Sequence, residues 1–227
     1  MLRPRSAIRE NVVNEATQGA EESLPAATAS PSLMRVTNRA TNSASGSGLN
    51  QLNQQRNAFR MEIRSRFLNR QQLLEKAREQ FRAQLQNIQD ERKRQIISRI
   101  EQNLNNLNKK IVDQLSLRLE RLESLLAKIN SRAKKMEDEG LVVTEALAKI
   151  ETAQANIGDI REILSQQAEK VYVPQIVSES GLGIAAGRSY QELRGDIKVI
   201  NDKLVAVKKE MANILHLLAQ IKGGGNQ

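Results

Sequence analysis

The chain has 227 residues and a formal net charge of +9, from 35 lysine and arginine residues against 26 aspartate and glutamate residues. Because it contains no cysteine and a single histidine, its composition excludes disulfide frameworks, thiolate metal sites, cysteine nucleophiles and sites built from several histidines. Aromatic residues make up only 2% of the chain, which favours long helices packed along narrow seams over a large globular core.

Residues 1–48 are predicted to form a disordered tail or linker. They contain three of the four prolines and end in Ser43-Ala44-Ser45-Gly46-Ser47-Gly48. A segment of this composition buries too little apolar surface to offset the entropy lost on ordering. The first thirty residues lack the apolar run of a signal peptide, and no stretch of about 18 apolar residues occurs anywhere, so we expect neither a signal peptide nor a membrane span.

One long helix is predicted for residues 49–139, which contain no glycine and no proline and consist mostly of strong helix formers. Apolar residues recur about every 3.6 residues along this segment, which is the period of a straight helix. The polar run 90–95 interrupts the apolar stripe and is followed by a capping pattern, so a break near residues 90–98 is the alternative. Gly140 is placed to end the helix in the left-handed capping position.

Four further segments are predicted after Gly140. They are a second helix over 144–169, an extended connector over 170–188, a third helix over 189–222 and a flexible C-terminus over 223–227. Apolar residues recur at spacings of three and four in both helices, and Pro174 excludes the connector from a central β-strand. The short connection after Gly140 predicts that the first two helices run antiparallel.

The predicted fold is therefore all-α: an elongated three-helix bundle, running up-down-up, with the very long first helix projecting beyond it. The second helix would be about 40 Å long, so it can match only residues 98–137 of the first. Residues 50–95 are expected to project without a partner inside the chain.

Several short blocks of the helical region carry a family resemblance. The blocks are Asp90-Glu91-Arg92-Lys93-Arg94-Gln95-Ile96-Ile97, Asn106-Leu107-Asn108, Leu119-x-Arg121-Leu122, Leu126-x-Lys128-Ile129-x-Ser131-Arg132 and Val171-Tyr172-Val173. Over residues 85–175, and more weakly over 190–222, the chain resembles uncharacterised helical proteins of candidate-phylum bacteria with reduced genomes. Members of that family have no assigned activity and carry a signal peptide and a Ser/Pro-rich linker before the helices. The resemblance thus implies export if a signal precedes this chain, and a cytoplasmic protein otherwise.

Three features of the sequence could carry chemistry, and each has a structural explanation. The motif at 181–186 matches a dinucleotide fingerprint, but no second strand is predicted to build the sheet that it needs, so we interpret it as a connector or helix start. His216 flanks the seam of the third helix without other ligands around it. The third feature is two pairs of carboxylates that share a helix face, which catalysis by two carboxylates can use: Glu75 with Glu79, and Glu120 with Glu123. On so basic a helix we expect these pairs to form solvated surface ion pairs, and we predict no catalytic, metal-binding or cofactor-binding residue.

The N-terminal half of the long helix combines many basic residues with all three phenylalanines. The candidate interaction surface consists of Arg56, Phe59, Arg60, Ile63, Arg64, Phe67, Arg70 and Phe81. Such a surface suits self-association or packing within the chain, another protein, an anionic membrane surface, or nucleic acid bound through its phosphates. The first of these is expected, because apolar helical stripes usually form cores.

These observations predict a non-enzymatic structural or interaction protein without a small-molecule substrate. It would serve as a scaffold, spacer or adaptor that acts through helical packing and self-association, with a second copy or another helical protein as its partner. The alternative is that the basic helix 50–95 binds an anionic surface, either a membrane or non-specific nucleic acid.

Overall fold

The computed structural model describes residues 43–224, and the side chains from residue 50 onward. These residues form four α-helices: α1 (Ser43–Gln86), α2 (Glu91–Asp138), α3 (Thr144–Glu169) and α4 (Leu182–Gly224). The described part of the chain is thus all-helical, which confirms the predicted fold class. The predictions for residues 1–42 and 225–227 lie outside the described residues. Residues 43–48, predicted as tail, instead belong to α1, and residues 223–224, predicted as part of a flexible C-terminus, belong to α4.

The single long helix predicted for residues 49–139 is wrong, because the chain leaves the helix between Gln86 and Glu91. Asp90 has extended backbone angles (φ −77°, ψ 110°), and its side chain accepts hydrogen bonds from the backbone N–H groups of Arg92 and Lys93. This is the geometry of a helix N-cap, which satisfies donors that a new helix leaves unpaired. The break therefore occurs at the start of the polar run, with Asp90 as its cap.

The three-helix arrangement with a projecting arm is also wrong for the described residues. Arg60 of α1 contacts Glu120 of α2, and Arg78 contacts Glu101, so α1 runs antiparallel to α2. Similar side-chain pairs make α3 antiparallel to α2, and pairs that join α3 and its C-cap to α4 make α4 antiparallel to α3. The four helices thus alternate in direction, and α1, which includes most of the segment 50–95 that was expected to project, folds back on its own chain.

The helices α2, α3 and α4 pack against one another, and α1 packs mainly on α3. The main core joins buried side chains from all four helices. Its most enclosed members include Val112, Leu119, Ala146, Leu164, Ile200 and Ile214. From α1 it takes Phe59 and Ile63, so the apolar stripe of α1 is part of the core rather than a bare seam.

A smaller apolar cluster closes the end of the bundle where α1 meets α2. It is formed by Phe81, Ile88, Ile97 and Leu182. The connector 170–181 crosses this end without forming a helix or a strand, and it contains bends and a turn over 177–181. The helix α4 begins at Leu182 rather than at the predicted residue 189. At the opposite end, Gly140 takes a φ of 83° and follows α2, as the sequence predicts.

Candidate functional site

The predicted interaction surface of α1 faces the interior of its own chain along most of its length. Phe59, Ile63, Arg70 and Phe81 are buried, and Arg56 and Phe67 are half-buried. Arg60 and Arg64 are exposed. The stripe is therefore brought together as predicted, but it packs within the chain, so we take the interface of α1 with α2 and α3 as the candidate site.

One end of this interface is built around Glu120 of α2. The guanidinium of Arg60 donates to both carboxylate oxygens, from Nε to Oε1 at 2.7 Å and from Nη2 to Oε2 at 2.6 Å. This hydrogen-bonded pair holds the pKa of Glu120 below its ordinary value and raises the pKa of Arg60. Arg56 donates to the backbone carbonyl of Glu120 at 2.6 Å and to the hydroxyl of Ser124. Two arginines of α1 thus form hydrogen bonds with the same turn of α2.

Glu123 extends this group to α3. Its carboxylate accepts a hydrogen bond from Arg161 of α3, and its other oxygen lies 3.6 Å from Nε of Arg56. The guanidinium of Arg161 also lies over the ring of Phe59, 5.4 Å from its centroid, in a cation–π contact. Glu120 and Glu123 were expected to form solvated surface ion pairs. They are instead largely buried, because α1 and α3 cover them with arginines.

A second polar group, the Asn105 network, lies nearer the turn between α1 and α2. Arg70 donates from Nη2 to the backbone carbonyl of Asn105 at 2.8 Å and to its Oδ1 at 2.9 Å. The amide of Asn105 donates to Oε1 of Glu101 at 2.7 Å, and Glu101 also accepts from Nε of Arg78 at 3.2 Å. Burial lowers the pKa of Arg70 from its ordinary value. An arginine, an amide and a carboxylate thus share one buried layer between α1 and α2.

The same asparagine fixes the connector after α3. Its Nδ2 donates to the carbonyl of Tyr172 at 2.9 Å, and its Oδ1 accepts the backbone N–H of Tyr172 at 3.1 Å. The Tyr172 hydroxyl donates to Asp196 of α4 at 2.6 Å and accepts from Gln167 at 2.7 Å. Burial and the contact with Asp196 raise the pKa of Tyr172. This tyrosine therefore links the connector to α2, α3 and α4.

The end of α3 is capped by a neighbouring asparagine. Nδ2 of Asn108 donates to the carbonyl of Gln167 at 3.1 Å and to that of Lys170 at 3.2 Å. These carbonyls belong to the last turn of α3 and its cap, where the carbonyl groups of a helix have no hydrogen-bond donors within the helix. Asn108 thereby ties the C-terminus of α3 to the middle of α2.

The Asn105 network was missed by sequence reasoning, although a signal for it exists. Glu101, Asn105 and Asn108 lie at helical spacing in the buried stripe of α2, between the apolar positions Ile97 and Val112. Polar residues at core positions of a helix need partners. Polar residues in an otherwise apolar stripe could therefore have predicted a buried polar layer in α2. The sequence does not show which residues of α1 and the connector would be their hydrogen-bond partners.

The remaining candidates for chemistry do not converge in the described residues. A cleft of about 100 Å³ between α1 and α2 is lined by Arg78, Phe81, Ser98 and Glu101, among others. Residues 43–224 hold no group of three or more His, Asp or Glu side chains arranged to bind a metal ion. Nor does any helix in that range combine the length and apolar character needed to span a membrane. His216 is exposed beside Gln220.

Comparison of the chain with protein-family models, with curated proteins and with solved structures returned no match. Its function is therefore inferred from the geometry and charge of the interface between α1, α2 and α3. That interface joins helices through arginines on one side and carboxylates or amides on the other.

Proposed function

We propose that the protein is a non-enzymatic helical scaffold, spacer or adaptor that acts through helical packing and self-association. The proposal rests on the contacts that the buried polar side chains of α2 make with other helices. Glu101, Asn105, Glu120 and Glu123 each contact a side chain from another helix. Of these contacts, the pair of Arg78 with Glu101 borders the small cleft of about 100 Å³ between α1 and α2. Groups arranged in this way align helices, whereas catalytic groups must face a substrate.

The shape of the bundle supports a spacer role. The 48 residues of α2 make a helix about 70 Å long, whereas two helices side by side are about 20 Å across. Apolar seams alone let long helices slide past one another, and buried polar pairs are the best attested means of fixing register. The two polar layers would therefore keep the two ends of the protein at a defined distance.

Small-angle scattering and sedimentation test this proposal together. We expect the scattering curve of the full chain to show the intermediate-angle region of a rod, and sedimentation equilibrium to show mass increasing with concentration. A compact particle with a radius of gyration of about 17 Å, the value for a globular domain of this length, would contradict the spacer role. A constant monomer mass at all concentrations would contradict self-association.

Binding of an anionic surface is a second candidate, supported by the outward face of α1. Met61 and Leu68 on this face are 66% and 59% exposed, and Arg64 lies between them. Arg64 makes no ion pair with the part of the chain that the structure describes. We expect Arg64→Glu to weaken any binding to anionic vesicles or duplex DNA, and Arg118→Glu on α2 serves as the control. Equal binding by both variants and the wild type would exclude this face of α1.

A further inference from the structure

The turn between α1 and α2 consists of residues that are all compatible with a helix. Residues 49–139 contain no glycine and no proline, so no residue there forces the chain to turn. The turn begins with two tight backbone hydrogen bonds, from Asn87 to Gln84 at 3.2 Å and from Ile88 to Leu85 at 3.1 Å. The same segment could continue as helix, and the choice between turn and helix depends on contacts outside it.

Those outside contacts are few. Glu179 of the connector accepts a hydrogen bond from the backbone N–H of Gln89 at 3.0 Å and another from Nζ of Lys93 at 2.7 Å. Both are exposed, and exposed ion pairs contribute little to stability. Ile88 is the exception, since its side chain is 2% exposed within the small apolar cluster. The turn is thus held by one apolar side chain, one helix cap and one surface carboxylate.

If the turn straightened in a single chain, α1 would lose its place on α3. Phe59, Ile63 and Phe81 are between 3% and 6% exposed in the closed form. All three would become exposed to water, and the carboxylates of Glu101 and Glu120 would lose their arginines. A straight form therefore needs a replacement for α1 that offers the same apolar and basic residues at the same spacing. A second copy of this chain offers them.

We propose that α1 and α2 can straighten through residues 87–90 into one helix, and that α1 then docks in the α2–α3 groove of a second copy, giving a domain-swapped dimer. In the closed chain α1 runs antiparallel to α2. Two straightened copies related by a two-fold axis at residues 87–90 place each α1 antiparallel to the α2 of the other copy. The contacts that α1 makes with α2 and α3 outside the turn can then form again between chains. This proposal deepens the self-association proposed above and rests on it.

Two substitutions at the turn separate the closed form from the straight one. Glu91 is the first residue of α2, a position that favours proline, and ψ of 110° at Asp90 suits the residue before a proline. Glu91→Pro therefore fits the closed form, whereas in a straight helix it would clash with the carbonyl of Asn87. Glu91→Ala is its matched control, since it removes the same side chain. Asp90→Ala acts in the opposite direction, because it removes the cap and favours helix, by about fivefold per chain.

The readout uses the absence of cysteine from the chain. Arg66 of α1 and Glu169 of α3 form a half-buried ion pair at the edge of the interface, with Nη1 and Oε2 3.0 Å apart, and we expect replacing either to cost about 1 kcal/mol or less. One chain carries Arg66→Cys and a second chain carries Glu169→Cys. The two chains are unfolded together, refolded at high concentration and treated with a short bis-maleimide. A cross-link between chains then forms where α1 of one copy lies on α3 of the other.

We expect the Glu91→Ala chains to form the cross-linked dimer. The yield of this dimer should be severalfold higher with Asp90→Ala, and about tenfold lower or zero with Glu91→Pro. Circular dichroism shows whether each variant is folded. Equal cross-linking in the Glu91→Pro and Glu91→Ala chains would overturn the proposal. Dimers in sedimentation without any cross-link would also overturn it, while leaving self-association through another surface. A protein that stays monomeric in all variants would contradict both the swap and the proposed self-association.

Discussion

Removing the side chain of Asn105 should destabilise the protein more than any other single change in the polar layers. Its amide makes hydrogen bonds with Arg70, Glu101 and the backbone of Tyr172, and the residue is 2% exposed. In Asn105→Ala, the N–H and carbonyl of Tyr172 lose their partners in a buried site. Each buried group left unpaired costs about 1–3 kcal/mol, so we expect a loss of about 4 kcal/mol in the free energy of unfolding.

Asn103→Ala is the matched control for this measurement. Asn103 lies on the same helix and is exposed. Both substitutions raise helix propensity by the same amount, so the difference between the two variants isolates the buried hydrogen bonds. Urea unfolding followed by circular dichroism gives both free energies. Two variants within about 0.5 kcal/mol of each other would refute the reasoning, because they would mean that the Asn105 network adds nothing to stability.

Two further predictions concern the ionisable groups of the interface. Arg60 holds the pKa of Glu120 below its unfolded value of about 4.3, so this pair stabilises the fold above that pH and loses its effect as pH falls through the folded pKa. The stability difference between wild type and Glu120→Gln should therefore shrink between pH 7 and pH 3 in urea titrations, and a constant difference would contradict the pair. Tyr172→Phe removes the hydrogen bonds to Asp196 and Gln167 and should cost about 1–3 kcal/mol in thermal or urea unfolding, whereas an unchanged midpoint would exclude a role for the hydroxyl.

The helical character of the chain could be predicted because apolar residues repeat at helical spacing over long segments. The break at residues 87–90 was predicted only as an alternative, near residues 90–98, since its residues suit helix and turn alike and distant groups help to select the turn. Ile88 shares an apolar cluster with Leu182, and Glu179 accepts a hydrogen bond from the backbone N–H of Gln89. Leu182 and Glu179 each lie about ninety residues further along the chain. Local propensity holds no information on such contacts.

The residues of the candidate surface were predicted from the sequence, but their packing against α2 and α3 of the same chain was not. Phe59 and Arg70 do lie on one face of a helix, as the spacing indicates. Their partners are on α2 and α3, where Glu123 and Asn105 occupy seam positions. The many basic residues in the N-terminal half of the predicted long helix made an external anion one candidate partner. Arg56, Arg60 and Arg70 instead contact polar groups of α2 in the same chain, and these contacts form only when α1 folds back.

The distance between α1 and α3 tests the central claim most directly, namely that α1 packs in the α2–α3 groove. Spin labels at Arg66→Cys and Glu169→Cys report it through their dipolar coupling. The wild-type contact between these residues predicts a main distance below about 25 Å, because two packed helices lie about 10 Å apart and each label adds several ångströms. The end of α3, which includes Glu169, lies beside Asn108 of α2. If residues 49–139 formed one straight helix without a partner, Arg66 would lie about 60 Å from that point, at about 1.5 Å per residue. A main distance near that value would contradict the account.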